Sequence, residues 1–206
     1  TLFCYFAYSK YIEIDLEIPF LSQVSLKNRS ADVTIKHKKN LSKDFINFNL
    51  LNGDNGLIHR PGIGFFYIEN PGSIYYDFDG KPFINDLLRV ILNQCMAYFF
   101  FQEGKMSLHA SSVMKNNKAF LFSGPSGSGK SSLAYMLSDS FKIISEDLSV
   151  IDNLHSSYVY SSYPIIKLNL DDLDKSDNLK KNIIYKKDKL NRVGYMINKR
   201  FLNDKR

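Results

Sequence analysis

The chain has 206 residues, 44% of them apolar, which suffices for one ordinary domain, or one with a small annex, and excludes disorder for its bulk. Cys4 and Cys95 are the two cysteines; without metal-ligand spacing they exclude a disulfide framework and fit a reducing, cytoplasmic setting. The sequence shows neither a secretory leader nor an apolar run of about 18 residues, so no membrane segment is expected.

Formal net charge is +6, and the span 171–206 holds eleven Lys/Arg against six Asp/Glu, or +5. The remaining residues are therefore nearly neutral. Such a basic segment could draw an acidic partner, but its plainer reading is a solvated, partly mobile terminal stretch.

In chain order, Phe3 to Leu16 alternates aromatic and β-branched residues with Ser9, Lys10, Glu13 and Asp15, as one or two strands would. Ala31 to Lys36 alternates apolar with polar residues and predicts a half-buried antiparallel strand. Lys36 to Lys43 reads as a basic loop. Turn chemistry at Gly53–Gly56, Arg60–Gly62, Asn70–Gly72 and Asp79–Pro82 then brackets two hairpin strands, Gly64 to Glu69 and Ser73 to Phe78. Tyr75, Tyr76 and Phe78 read as cross-strand or core aromatics. Nucleic-acid recognition is not expected there, because no basic residues interleave with them.

Over Phe83 to Gln102 the period changes. Leu87, Leu88, Ile91, Leu92, Cys95, Met96 and Phe99 recur at three and four, predicting a mostly buried helix capped by Asn85 or Asp86 and closed by Gly104. Lys105 to Val113 predicts one strand, and Lys115–Lys118 a tight turn. Lys118 to Ser123 then predicts a buried strand that leads into a helix starting near Ser132.

Between that strand and that helix lies Gly124-Pro125-Ser126-Gly127-Ser128-Gly129-Lys130-Ser131-Ser132. It fits the phosphate-loop pattern G-x-x-x-x-G-K-[ST]. The glycines let successive N–H groups converge on one concavity, and the following helix adds its positive dipole end. Lys130 would reach the β- and γ-phosphates of ATP, with GTP as an alternative, and the Ser131 hydroxyl would ligate Mg²⁺. If the flanking strands form a hairpin, His109 falls at its phosphate end. Phe141 to Ile144 predicts a strand ending at Ser145-Glu146-Asp147, followed by another from Leu148 to Ile151. Adjacent acids at that place suit a metal ligand and a base for an incoming hydroxyl.

Together Leu108-His109-Ala110-Ser111, the loop from Gly124 to Ser132, and Ile144-Ser145-Glu146-Asp147 resemble the HPr serine kinase/phosphorylase superfamily. The likeness is closer to the HPr-kinase-related kinases of lasso-peptide clusters. Ala31 to Ile35 and Tyr163 to Leu168 agree with it, so it covers roughly residues 1–170.

The resemblance implies an α/β fold: a P-loop nucleotide core of the HPr-kinase/PEP-carboxykinase type with a mostly antiparallel N-terminal β annex. The corresponding division is a β-rich annex over 1–82, a kinase core over 83–170 and a basic C-terminal segment over 171–206. The implied activity transfers the γ-phosphate to a serine hydroxyl of a peptide or protein, such as a ribosomally made precursor. His109 and Lys130 would serve the reaction centre, and Ser131, Glu146 and Asp147 would divide metal ligation and proton acceptance. Homo-oligomerisation is left open. Two departures stand out: Glu146 replaces the first aspartate of the family's pair, and Lys167 stands where an arginine is usual, keeping the charge but losing the two-pronged grip on phosphate. No copy of the segment tied to HPr itself is evident. The competing readings are a non-catalytic nucleotide- and peptide-binding module and another P-loop small-molecule kinase, for example one acting on free serine.

Overall fold

Alternating burial along short strands gives the chain its character, a mixed α/β protein that is mostly strand and divided among several sheets. The computed structural model describes residues 1–43, 55–152, 158–169, 183–185 and 192–197. Two units form. The first comprises Thr1–Phe6, Lys10–Ile18 and Ser22–Lys105, and the second Ala7–Ser9, Pro19–Leu21 and Met106–Arg206.

The first unit is built on a six-stranded sheet. Its strands are β1 (Phe3–Ala7), β2 (Lys10–Ile14), β3 (Val33–His37), β4 (Asn55–Arg60), β5 (Gly64–Glu69) and β6 (Ser73–Phe78), in the order β1-β2-β3-β6-β5-β4. Ile12, Ile14, Val33, Ile35, Phe66, Ile68 and Ile74 are buried on it. β4–β5 and β5–β6 are antiparallel hairpins. β3, however, runs parallel to both its neighbours, β2 and β6. The expected antiparallel pairing is thus corrected, because alternation reports that one face is buried and carries no information on the neighbour's direction. Tyr67 and Tyr75 face each other in register and stack with centroids 6.2 Å apart, an ordinary cross-strand pair. In the turn expected over 53–56, Gly53 and Asp54 lie outside the described residues, while Asn55 and Gly56 open β4.

Ile84 to Gln102 is one helical run with a wide turn in the middle: α1 (Ile84–Arg89), a π turn (Val90–Cys95) and α2 (Met96–Gln102). The π turn shifts the phase so that Leu87, Leu88, Val90, Ile91, Leu92, Cys95, Met96, Phe99 and Phe100 are all buried. Neither Asn85 nor Asp86 caps the start; the N-cap is Phe83 and it makes no side-chain bond. Gly104 ends the run in a left-handed conformation (φ +73°), with its own N–H bonded to Phe101 O and that of Lys105 to Phe100 O.

In the second unit, α3 (Lys130–Leu137) packs against β8 (Ala110–Lys115) and β13 (Ile165–Asn169). Val113, Ala134, Ile143, Ile166, Leu168, Val193, Tyr195 and Ile197 make the core around it. β8 is the centre of a sheet ordered β10-β8-β9, with β9 (Lys118–Ser123) and β10 (Lys142–Ser145) on its edges. A second sheet joins β12 (Tyr158–Tyr160), β11 (Ser149–Asp152) and β7 (Met106–Leu108). A third is ordered β13-β15-β14, with β14 (Ile183–Tyr185) and β15 (Arg192–Met196).

Two expectations change here. β9 is an edge strand with Lys118, Ala119 and Phe120 exposed, not a buried one; its apolar residues serve the single face that meets the core. The basic stretch 171–206 is not wholly solvated either, since β15 is the middle strand of its sheet and Val193, Tyr195 and Ile197 are buried. Net charge hid this, because the apolar residues of β15 sit between the lysines.

Tyr195 is fully buried, and its hydroxyl has no hydrogen-bond partner among the described residues. Tyr195→Ala should therefore cost about 3–5 kcal/mol in denaturant unfolding, as other large aromatic truncations do. Tyr195→Phe should be neutral or stabilising, because it removes a desolvated hydroxyl.

Candidate functional site

Two stretches of the second unit run antiparallel to each other, and both are interrupted at the same level. Leu108 pairs with Ser149 on one side of the interruption, and Ser112 pairs with Ser145 on the other. Between them His109–Ser111 faces Glu146–Leu148 outside the regular ladder. The strand expected over Lys105 to Val113 is accordingly broken at His109, where the chain leaves one sheet for another.

Side chains take over the bonding that the ladder gives up. Ser111 Oγ donates to Glu146 O at 3.1 Å and Ser149 Oγ to Ala110 O at 3.1 Å. Ser112, Ser145 and Ser149 form a buried hydroxyl chain with two 2.6 Å links. His109 Nδ1 lies 3.0 Å from Asp147 O. Because a carbonyl oxygen only accepts, Nδ1 carries the proton of that bond, and a neutral ring presents Nε2 as an acceptor.

The glycine loop meets this junction through the β8–β9 hairpin. Asn116 and Asn117, both at positive φ (+52° and +57°), close a two-residue turn between Lys115 and Lys118. The resulting register sets Ala110 opposite Ser123, so His109 lies level with the start of the loop, and Ser123 Oγ donates to His109 O at 3.4 Å. Gly127 and Gly129 adopt φ +82° and +83°, and a Cβ at either would meet nothing within 4 Å. α3 begins directly after them. Its N-cap, Gly129, offers no side-chain bond, and its first turn holds no acidic residue. The usual side-chain cap of a helix start is therefore missing at position 129. Lys130 folds over the loop, with Nζ 2.9 Å from both Gly124 O and Pro125 O.

One pocket gathers these elements. It is lined by His109, Ser126, Gly127, Gly129, Lys130, Ser131, Ser132, Glu146, Asp147 and Lys167. Pro125, Ser128 and Gly124 of the loop lie outside that lining, though Gly124 and Pro125 hold Lys130. Glu146 is only 4% exposed, with Ser131 Oγ donating to its Oε1 at 2.7 Å. Lys167, also 4% exposed, reaches from β13 to lie 3.2 Å from Glu146 Oε2 and to donate to Asp147 Oδ2. The Glu146 contact is close enough for charge attraction, yet Oε2 stays buried without a hydrogen bond among the described residues. Tyr8 closes the same unit from another part of the chain: it is fully buried, its N–H donates to Ser161 O at 2.8 Å, and its ring meets Tyr163 edge-on. Burial drives the Tyr8 phenol far above its ordinary pKa, the nearby Glu146 carboxylate adds to the shift, and a hydrogen bond with Ser162 opposes it. It stays a neutral hydroxyl at physiological pH.

The donors suit two groups. An open loop, an uncapped helix start and Lys130 suit a polyphosphate. The Ser131 hydroxyl and the orphaned Glu146 oxygen suit a hard divalent cation. Among the described residues no cluster of three or more His, Cys, Asp or Glu side chains is arranged to hold a metal, so a cation here would take its remaining ligands from phosphate and water. No sequence motif assigns a role to Ser111, Ser112, Ser145, Ser149 or Tyr8. The signal for the serines was their place inside otherwise apolar strands. No protein-family model matches the chain, and no curated protein matches it.

Ser145 is the middle link of the hydroxyl chain. Ser145→Ala should cost about 1–3 kcal/mol in equilibrium unfolding, since it strands buried hydroxyls on either side; Ser138→Ala, outside the junction, provides the comparison.

Proposed function

We propose that the protein is an ATP-dependent kinase that transfers the γ-phosphate to a serine hydroxyl of a peptide or protein. The observation that carries the reading is the convergence on one pocket of a phosphate-type cradle with Glu146, Asp147 and His109, the histidine bonded to the Asp147 backbone carbonyl. The division of the chain into sheets does not itself distinguish kinases from other folds. The P-loop core of the HPr-kinase/PEP-carboxykinase type belongs to this proposal, as does the resemblance to lasso-cluster kinases.

In this reading the Gly124–Lys130 loop and the first amides of α3 hold the β- and γ-phosphates, and Lys130 turns from its two carbonyls to the phosphate oxygens. Mg²⁺ held by Ser131 and Glu146 would neutralise charge on those oxygens. Asp147 accepts the proton of the serine hydroxyl as its oxygen bonds to phosphorus and the bond to the β-phosphate oxygen breaks, releasing ADP. His109, bonded to the Asp147 carbonyl, holds that residue's backbone in place. GTP would fill the phosphate end equally well. A serine of a ribosomally made precursor is the preferred acceptor, and the cytoplasm, which supplies nucleotide and nascent peptide together, is the expected setting. In the described residues no helix is long and apolar enough to cross a membrane.

The test is incubation of the purified chain with γ-labelled ATP, Mg²⁺ and a panel of serine peptides, free serine included, read by mass spectrometry. Phosphopeptide supports the reading; nucleotide binding without transfer to any acceptor indicates a binding module, and phosphoserine as the favoured product indicates a small-molecule kinase. Lys130→Ala should abolish transfer without altering the melting temperature, because Lys130 is a partly exposed clamp outside the core. Asp147→Asn should lower kcat by about 10²–10⁴, the usual contribution of a general base, while nucleotide affinity measured by calorimetry is retained.

A further inference from the structure

We propose that Lys167 is an internal counter-cation that makes divalent-metal binding at Glu146 contingent on the nucleotide's phosphates; the inference rests on the kinase reading above. Lys167 lies between the two acids: its Nζ is 3.2 Å from Glu146 Oε2 and bonded to Asp147 Oδ2. It projects from β13 at the position paired with Gly194 of β15, a neighbour with no side chain to compete for it. Lys167 and Glu146 are each 4% exposed, so little water shares the charge between them.

The same geometry shows where a ligand is wanted. Lys167 directs a hydrogen bond to Asp147, while Glu146 Oε2 stays buried without one among the described residues, on a side chain that lines the pocket. A divalent cation bound by that oxygen would meet the ammonium as a like charge at short range. A metal arriving alone is therefore repelled. A metal arriving with a polyphosphate is not, because the phosphate oxygens offer Lys167 a new anionic partner within the pocket it already lines. The exchange also detaches Lys167 from Asp147, so that this carboxylate can accept a proton only once nucleotide is seated. Lys167 would thus couple metal, nucleotide and base in one displacement.

Mn²⁺ serves as the probe, its binding to the full chain followed by electron paramagnetic resonance without nucleotide. Lys167→Met should bind Mn²⁺ about tenfold more tightly than wild type, within the usual range of coupling between sites. Mn²⁺ should also raise the melting temperature of that variant more than that of wild type, since the metal then replaces the missing charge. If Lys167→Met folds poorly, the comparison moves to Lys167→Gln, which removes the charge but keeps a polar side chain able to bond Asp147 and leaves the Glu146 carboxylate in place; it should again bind Mn²⁺ more tightly than wild type. Adding tripolyphosphate should shrink the difference between wild type and Lys167→Met. Equal or weaker Mn²⁺ binding than wild type in whichever lysine-free variant folds overturns the proposal, as does a difference that tripolyphosphate leaves unchanged. Because these readouts need no acceptor, loss of the kinase reading would appear separately, as absent phosphoryl transfer by a protein whose Mn²⁺ binding still depends on Lys167.

Discussion

The interrupted ladder between Leu108/Ser149 and Ser112/Ser145 is the constraint on which the second unit depends. A pair of strands that parts inside a protein exposes backbone N–H and C=O groups that must find other partners. Serine is suited to this, being small enough for a strand interior and able to donate to a carbonyl across the gap. Ser111 and Ser149 do so at Glu146 and Ala110, and the Ser112–Ser145–Ser149 chain ties the two sides together beneath them. With the backbone satisfied in this way, His109, Glu146 and Asp147 are released from strand pairing and gathered at one level.

Electrostatics then sorts those residues. Glu146 is buried against the Ser131 hydroxyl at the start of α3, and Lys167 balances both acids from β13. The glycine loop contributes positive potential through an uncapped helix start and Lys130. The pocket thus combines backbone and side-chain donors with two acids, the combination proposed here to hold a nucleotide's phosphates beside a proton acceptor. Breaking a buried ion pair by removing one partner is generally costly, about 3–5 kcal/mol, so the Lys167 contact is expected to contribute to folding as well as to binding.

Much of the candidate site was legible because its chemistry is local. The spacing of Gly124, Gly129, Lys130 and Ser131 is set within one turn, and the two asparagines after Lys115 dictate the hairpin that brings His109 level with it. The parts that escaped are non-local. The parallel pairing of β3 depends on neighbours that alternation cannot name. The exposure of β9 depends on its edge position, and the burial of β15 on a partner strand more than twenty residues away, whereas the lysines around it suggested solvent. The break at His109 was hidden for a different reason. Apolar and polar residues continue through it in a strand-like pattern, and only the serines on the facing strand explain why the ladder opens.

Hydrogen exchange with and without Mg·ATP tests the central claim most directly, because it reports on backbone amides whatever the acceptor turns out to be. The account predicts slowed exchange over residues 126–133, where the loop and the first turn of α3 present their donors, and at 146–147, with residues 64–78 of the first unit unchanged. Protection confined to the first unit, or none at all under saturating nucleotide, would contradict it.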